Sequence, residues 1–124
     1  MVARRSCHLA ASAALGLLSA GAGASFYTGD TLYEVCTTGR DSQAYFEKTY
    51  ECIGYITGAV DAFNRTREVN RLKSCIPAQV TINQLKTVTV DYLRDNPGER
   101  SGSASALVFA ATRKAWPCPK KKRR

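Results

Sequence analysis

The sequence predicts an all-α fold: a small disulfide-bonded bundle of about four helices. Three observations carry that expectation. Apolar residues recur at helical spacing in several segments, no run alternates cleanly as a half-buried strand would, and helix start and stop signals bracket the clearest segments. The 124 residues, 44% hydrophobic and 23% charged, allow one domain and exclude intrinsic disorder.

Residues 1–24 read as a secretory signal peptide. Arg4 and Arg5 supply the positive start, Leu9 to Leu18 an apolar stretch of alanine and leucine, and Ala22-Gly23-Ala24 the small residues a signal peptidase requires. That apolar stretch falls short of the ~20 residues that span a bilayer. Cleavage after Ala24 would leave a mature chain with four cysteines and without histidine, since His8 is the one histidine of the sequence.

A short opening helix is expected over Thr31 to Thr37, with Leu32, Val35 and Cys36 inward and Asp30 as its cap. A longer helix follows from Ala44 to Asn64, burying Tyr45, Cys52, Ile56, Ala59, Val60 and Phe63. Gly54 and Gly58 fall on one side of it, at a cost of about 2 kcal/mol in helix propensity relative to alanine. The expected compensation is the close approach of another helix backbone.

The polar, basic segment Asn64 to Ser74 reads as a loop tethered at its end by Cys75. Arg65, Arg67, Glu68, Asn70, Arg71 and Lys73 are its candidate partner-binding residues, because pre-organisation lowers the entropy lost on docking. The competing reading is a solvated helix end with Val69 and Leu72 tucked inward.

The third helix has the plainest signals. Thr81-Ile82-Asn83-Gln84 is a capping box, with Val80 and Leu85 as its hydrophobic staple. Ile82, Leu85, Val88, Thr89, Tyr92 and Leu93 repeat at helical spacing until Asn96-Pro97-Gly98 stops the run. Ser101 or Ser103 then caps a fourth helix whose stripe is Ala104, Leu107, Val108, Ala111 and Ala115, ended by Trp116-Pro117. The third and fourth helices, ~21 Å each for about 14 residues, should form an antiparallel hairpin.

Four cysteines in an exported domain of this size read as two disulfides, for which three connectivities exist. The hairpin returns Cys118 toward the start of the third helix, favouring Cys75–Cys118 with Cys36–Cys52 as the remainder. Neither a CxxC pair nor a mature histidine is present to complete a zinc site, so no metal or cofactor is expected.

The net charge of +8 is uneven: Lys120 to Arg124 hold five of the 18 basic residues and Arg4-Arg5 two more. The eleven others face ten carboxylates, which does not describe a folded groove for nucleic acid. The polybasic tail 119–124 is suited instead to anionic envelope surfaces. A mature chain without histidine cannot host a His-dependent triad or a Cys-His pair. Glu47, Glu51 and Asp61 share a helix as ordinary surface carboxylates, and the chain is expected not to be an enzyme.

Several blocks stand in an order that resembles the Rap/Tai immunity proteins of bacterial type VI secretion systems. They are Tyr27-Thr28-Gly29 with Leu32 and Cys36; Cys52-Ile53-Gly54-Tyr55-Ile56-Thr57-Gly58; Cys75-Ile76-Pro77 with Val80-Thr81 and Gln84-Leu85; and the closing Ala115-Trp116-Pro117-Cys118. The resemblance covers nearly all of residues 27–118. It implies an exported, periplasmic, helical and disulfide-bonded domain over residues 25–118. Such a protein neutralises a peptidoglycan amidase injected by a neighbouring cell by blocking its cleft, and in many members forms a homodimer. The chain departs from the pattern at Asn96 and Ser101, where relatives carry histidines, and in the tail beyond Cys118. The alternative function is a general periplasmic envelope-binding or chaperone-like helical domain with no toxin partner.

Overall fold

The computed structural model describes residues 26–119. The proposed leader and the charges of the tail lie outside them. The described residues form four α-helices and one 3₁₀ turn: α1 (Gly29–Thr37), α2 (Tyr45–Val69), α3 (Ile82–Asp95), the turn Pro97–Glu99, and α4 (Ala104–Ala115). All four helices pack on one another around a single core. Leu32, Ile56, Leu93 and Val108 are almost fully buried at its centre. The all-α expectation holds, and so does the disulfide pairing: Cys36 is bonded to Cys52 and Cys75 to Cys118.

Thr81 caps α3 as read. Its hydroxyl accepts the Gln84 N–H at 3.2 Å, and the Gln84 side chain accepts the Thr81 N–H at 2.8 Å. Leu85, Thr89 and Leu93 form the buried stripe, whereas Ile82, in the first turn of α3, is half exposed. In α4 the residues Ala104, Leu107, Val108 and Ala111 are buried, and Ala115 is exposed. Ser103 occupies the N-cap position but makes no capping bond; its hydroxyl pairs with Ser105 at 3.0 Å.

Two expectations about the first half need correction. Thr28, not Asp30, caps α1, its hydroxyl accepting the Thr31 N–H at 3.2 Å while Asp30 lies within the first turn. The reason is long-range. The segment after the 3₁₀ turn lies across the start of α1, so the Gly29 N–H donates to Gly102 O (3.0 Å) and the Asp30 N–H to Arg100 O (2.8 Å). Tyr27 O in turn accepts the Ala104 N–H at 3.0 Å, and Thr28 and Ser103 form an isolated antiparallel bridge. Free amides at a helix start need acceptors, and here another part of the chain supplies two of them.

The glycine expectation also fails. A Cβ added at Gly54 or Gly58 would meet nothing within 4 Å, so both glycines lie on the outer, solvent-facing side of α2. The glycine that needs a close approach is Gly29, where a Cβ would meet Arg100 Cα and O at 2.8 Å and collide with Leu107.

Candidate functional site

α2 continues to Val69, five residues past its expected end at Asn64. The apolar stripe stops at Phe63, but a stripe ends where burial ends, not where helix ends. Arg65-Thr66-Arg67-Glu68 contains no glycine or proline, and Arg65 reaches Glu68 at 2.8 Å across one turn. Arg65, Arg67 and Glu68 therefore stand on helix, Asn70 is its C-cap, and only Arg71 to Ser74 belong to the connector. Neither sequence reading of Asn64–Ser74 survives whole: the segment is a helix end, yet Val69 is 61% and Leu72 37% exposed.

The helix end is tightly built. The Leu72 N–H donates to Arg67 O (2.9 Å) and the Arg71 N–H to Glu68 O (2.8 Å), which is the paired pattern of a Schellman motif. The motif needs a left-handed residue after the cap, normally glycine; here it is Arg71, with φ 56°. Arg67 Nε donates to Lys73 O at 2.8 Å, with the guanidinium 5.8 Å from the Phe63 ring. Ser74 Oγ donates to Asn64 Oδ1 at 2.9 Å, and Cys75 is then fixed to Cys118. Asn70 Nδ2 is occupied by Thr66 O at 2.7 Å. Of the six residues named from the sequence, Arg67 holds the connector through Lys73 O, and Asn70 bonds back into its own helix at Thr66 O. The side chains of Arg65, Glu68, Arg71 and Lys73 point outward on an exposed surface. Val69 and Leu72 were missed as surface features because an apolar residue beside a basic run is read as core by default.

A second polar cluster joins the N-terminal segment to α2. The Tyr27 hydroxyl donates to Glu51, which also receives Lys48 Nζ at 2.8 Å, and the Tyr27 and Tyr55 rings stack at 4.8 Å. The Lys48 ammonium and then the Tyr27 hydroxyl hold the Glu51 carboxyl below its ordinary pKa. The bond to that carboxylate raises the Tyr27 phenol. The arrangement is a strut between two elements.

Between α3 and α4 runs an open groove of about 330 Å³ lined by Val88, Asp91, Tyr92 and Lys114 among others. Asp91 and the neighbouring Asp95 are paired with Arg94 at 2.8 and 3.1 Å. Among the described residues no group of three or more His, Cys, Asp or Glu could hold a metal, and no helix is long and apolar enough to cross a membrane.

The fold and this surface define a small, doubly crosslinked helical domain that offers a rigid helix end. A sequence model of the Rap1a immunity proteins matches residues 28–118. The chain belongs to that family, and with it to the proteins that confer immunity against a secreted effector. No curated protein and no solved structure matches the chain.

Proposed function

We propose that the protein is an exported, periplasmic immunity protein that binds a type VI secretion peptidoglycan amidase and occludes its cleft. The observation that supports the contact surface is the capped, crosslinked end of α2. Its geometry is set before any partner arrives, by the Schellman bonds, the Arg67–Lys73 bond and the Cys75–Cys118 bridge. An inhibitor that presents a fixed surface loses little entropy on docking. Arg65, Arg67, Glu68, Asn70, Arg71 and Lys73 form this contact region, with Arg67 acting as its support through Lys73 O.

Export agrees with two disulfides, which persist in oxidising compartments. The protein acts by binding and not by turnover. The test is co-expression with periplasm-targeted amidases from its own genome and from competing strains. Survival above empty vector with at least one amidase is expected; survival equal to empty vector across the panel would end the amidase reading. Arg65→Glu with Lys73→Glu, which spares the Arg67 support, should abolish rescue while lowering the melting temperature by no more than the loss of the exposed Arg65–Glu68 pair brings. Full rescue by that variant would move the contact elsewhere.

A further inference from the structure

The two disulfides are not equally open to reagents. Cys36 is 6% exposed and Cys52 0%, and both belong to the core. Cys36 borders an open groove beside Asn83, Lys86 and Val90, but little of it reaches the surface. Cys75 and Cys118 are each half-buried, and Ser74, Pro117 and Pro119 beside them are exposed. A thiolate must reach one sulfur to break a disulfide, and the outer bond is the more accessible.

The two bonds also hold different things. Trp116 packs against the core, and beyond it the described chain makes no hydrogen bond, so Cys118 is its fastening. On the other side of the bond, the bonds from Arg67 to Lys73 O and from Ser74 to Asn64 both lie ahead of Cys75. After it, the Ile76 N–H donates to Ser74 Oγ and the Val80 N–H to Pro77 O, at 3.1 Å each. Ile76 and Val80 lean partly buried on the core, but those backbone bonds stay within the connector. The flanking elements need no outer crosslink. Schellman bonds close α2, the Thr81–Gln84 box opens α3, and Cys36–Cys52 joins α1 to α2. Loss of the outer bond would therefore slacken residues 75–80 and the chain beyond Trp116 while the four helices stay in place.

We infer that Cys75–Cys118 is a redox site: a dithiol reduces it ahead of Cys36–Cys52, and its reduction slackens the connector without unfolding the bundle. One thiolate of the dithiol attacks a sulfur of the pair and expels the other as a thiolate. The second thiolate of the dithiol then resolves the mixed disulfide. Two electrons and two protons pass to the pair, so the dithiol leaves as a disulfide and Cys75 and Cys118 as thiols. The partner that fits is a protein of the dithiol oxidoreductase class. The consequence for docking rests on the function proposed above. A contact end with a slack connector loses the pre-organisation that spares entropy on docking, so the reduced form binds an effector more weakly.

The experiment treats the native, disulfide-intact protein with dithiothreitol, quenches samples with iodoacetamide at intervals, and locates the label by mass spectrometry. A species labelled at Cys75 and Cys118 alone is expected to accumulate before label appears on Cys36 or Cys52. That species should keep the helical circular dichroism of the parent and exchange amide hydrogens faster in residues 75–80. Cys75→Ser with Cys118→Ser should reproduce both properties without an alkyl group. Labelling of all four cysteines together, or of Cys36 and Cys52 first, would overturn the inference. So would parental exchange through residues 75–80, which would leave an exposed crosslink that controls nothing. Collapse of the helical signal would overturn it too, making the bond a condition of folding. At equal protein level, the double-serine variant should protect less than the parent in the co-expression test. Equal protection would overturn the consequence for docking and leave the immunity reading standing. Failure of both proteins to protect would strike the immunity reading and leave the redox site, whose own readouts involve no amidase.

Discussion

Arg71 shows what a single residue contributes to this protein. A side chain in the left-handed region costs about 1–2 kcal/mol relative to glycine, and the Schellman turn at the end of α2 requires that region. Arg71→Gly should therefore raise the unfolding free energy by about 1 kcal/mol, read as a higher denaturant midpoint at unchanged slope. If the proposed contact uses the guanidinium, the same change weakens protection while strengthening the fold. Tyr27, Lys48 and Glu51 make the other residue-scale prediction. The lowered Glu51 value gives stability that is present above its ordinary pKa of 4.5 and is lost as pH falls through the depressed folded value. The raised Tyr27 value gives stability that is present below 10.0 and is lost as pH rises through the folded value. The melting temperature should fall on both flanks, and Tyr27→Phe should flatten the alkaline one.

Among the elements, α1 and α2 contrast in how they use glycine. Gly29→Ala should cost about 1–3 kcal/mol, the range for forcing extra volume into a packed site, because Arg100 and Leu107 occupy the space. Gly58→Ala should gain up to about 1 kcal/mol, since the site is open and alanine is the better helix former. Thermal denaturation of the two variants reads both signs. Their contrast also shows what the sequence could convey. α3 was legible to the residue because its cap, staple and proline stop are local signals. The end of α2 was not, because nothing local ends it at Asn64 and the apolar stripe reports burial alone. Thr28 was overlooked as the cap of α1 because the acceptors that fix that terminus, on Arg100 and Gly102, lie in another part of the chain. The candidate contact residues were legible as a basic cluster. The separation of Arg67 as a support from the outward groups depends on the Lys73 carbonyl folding back within its reach, and composition does not carry that.

On the scale of the whole molecule, the two disulfides hold different things. Cys36–Cys52 ties α1 to α2 inside the core, both sulfurs being buried. Cys75–Cys118 closes a longer loop, with 43 residues of separation, and lies partly exposed where the connector meets the end of the chain. By the loop-entropy account, removing the second bridge costs about 4 kcal/mol. Cys75→Ser with Cys118→Ser should lower stability by that order while the helical signal persists. Hydrogen exchange should quicken first in residues 70–80, ahead of α3 and α4. Protection throughout the connector equal to that of the parent would show that the hydrogen bonds of Arg67 and Ser74 hold it without the crosslink.

The clasp at the start of α1 has a consequence for how the chain is made. Synthesis is vectorial, and the acceptors for the first amides of α1 sit on Arg100 and Gly102, close to the last helix. An emerging nascent chain can coil its early segments but cannot close them. Completion of that first helix waits until Arg100 and Gly102 have been made, so its closure comes after α2 and α3 are already out. A chain whose opening helix stays unclasped until those distant residues follow is also one that the export proposed above would find still threadable.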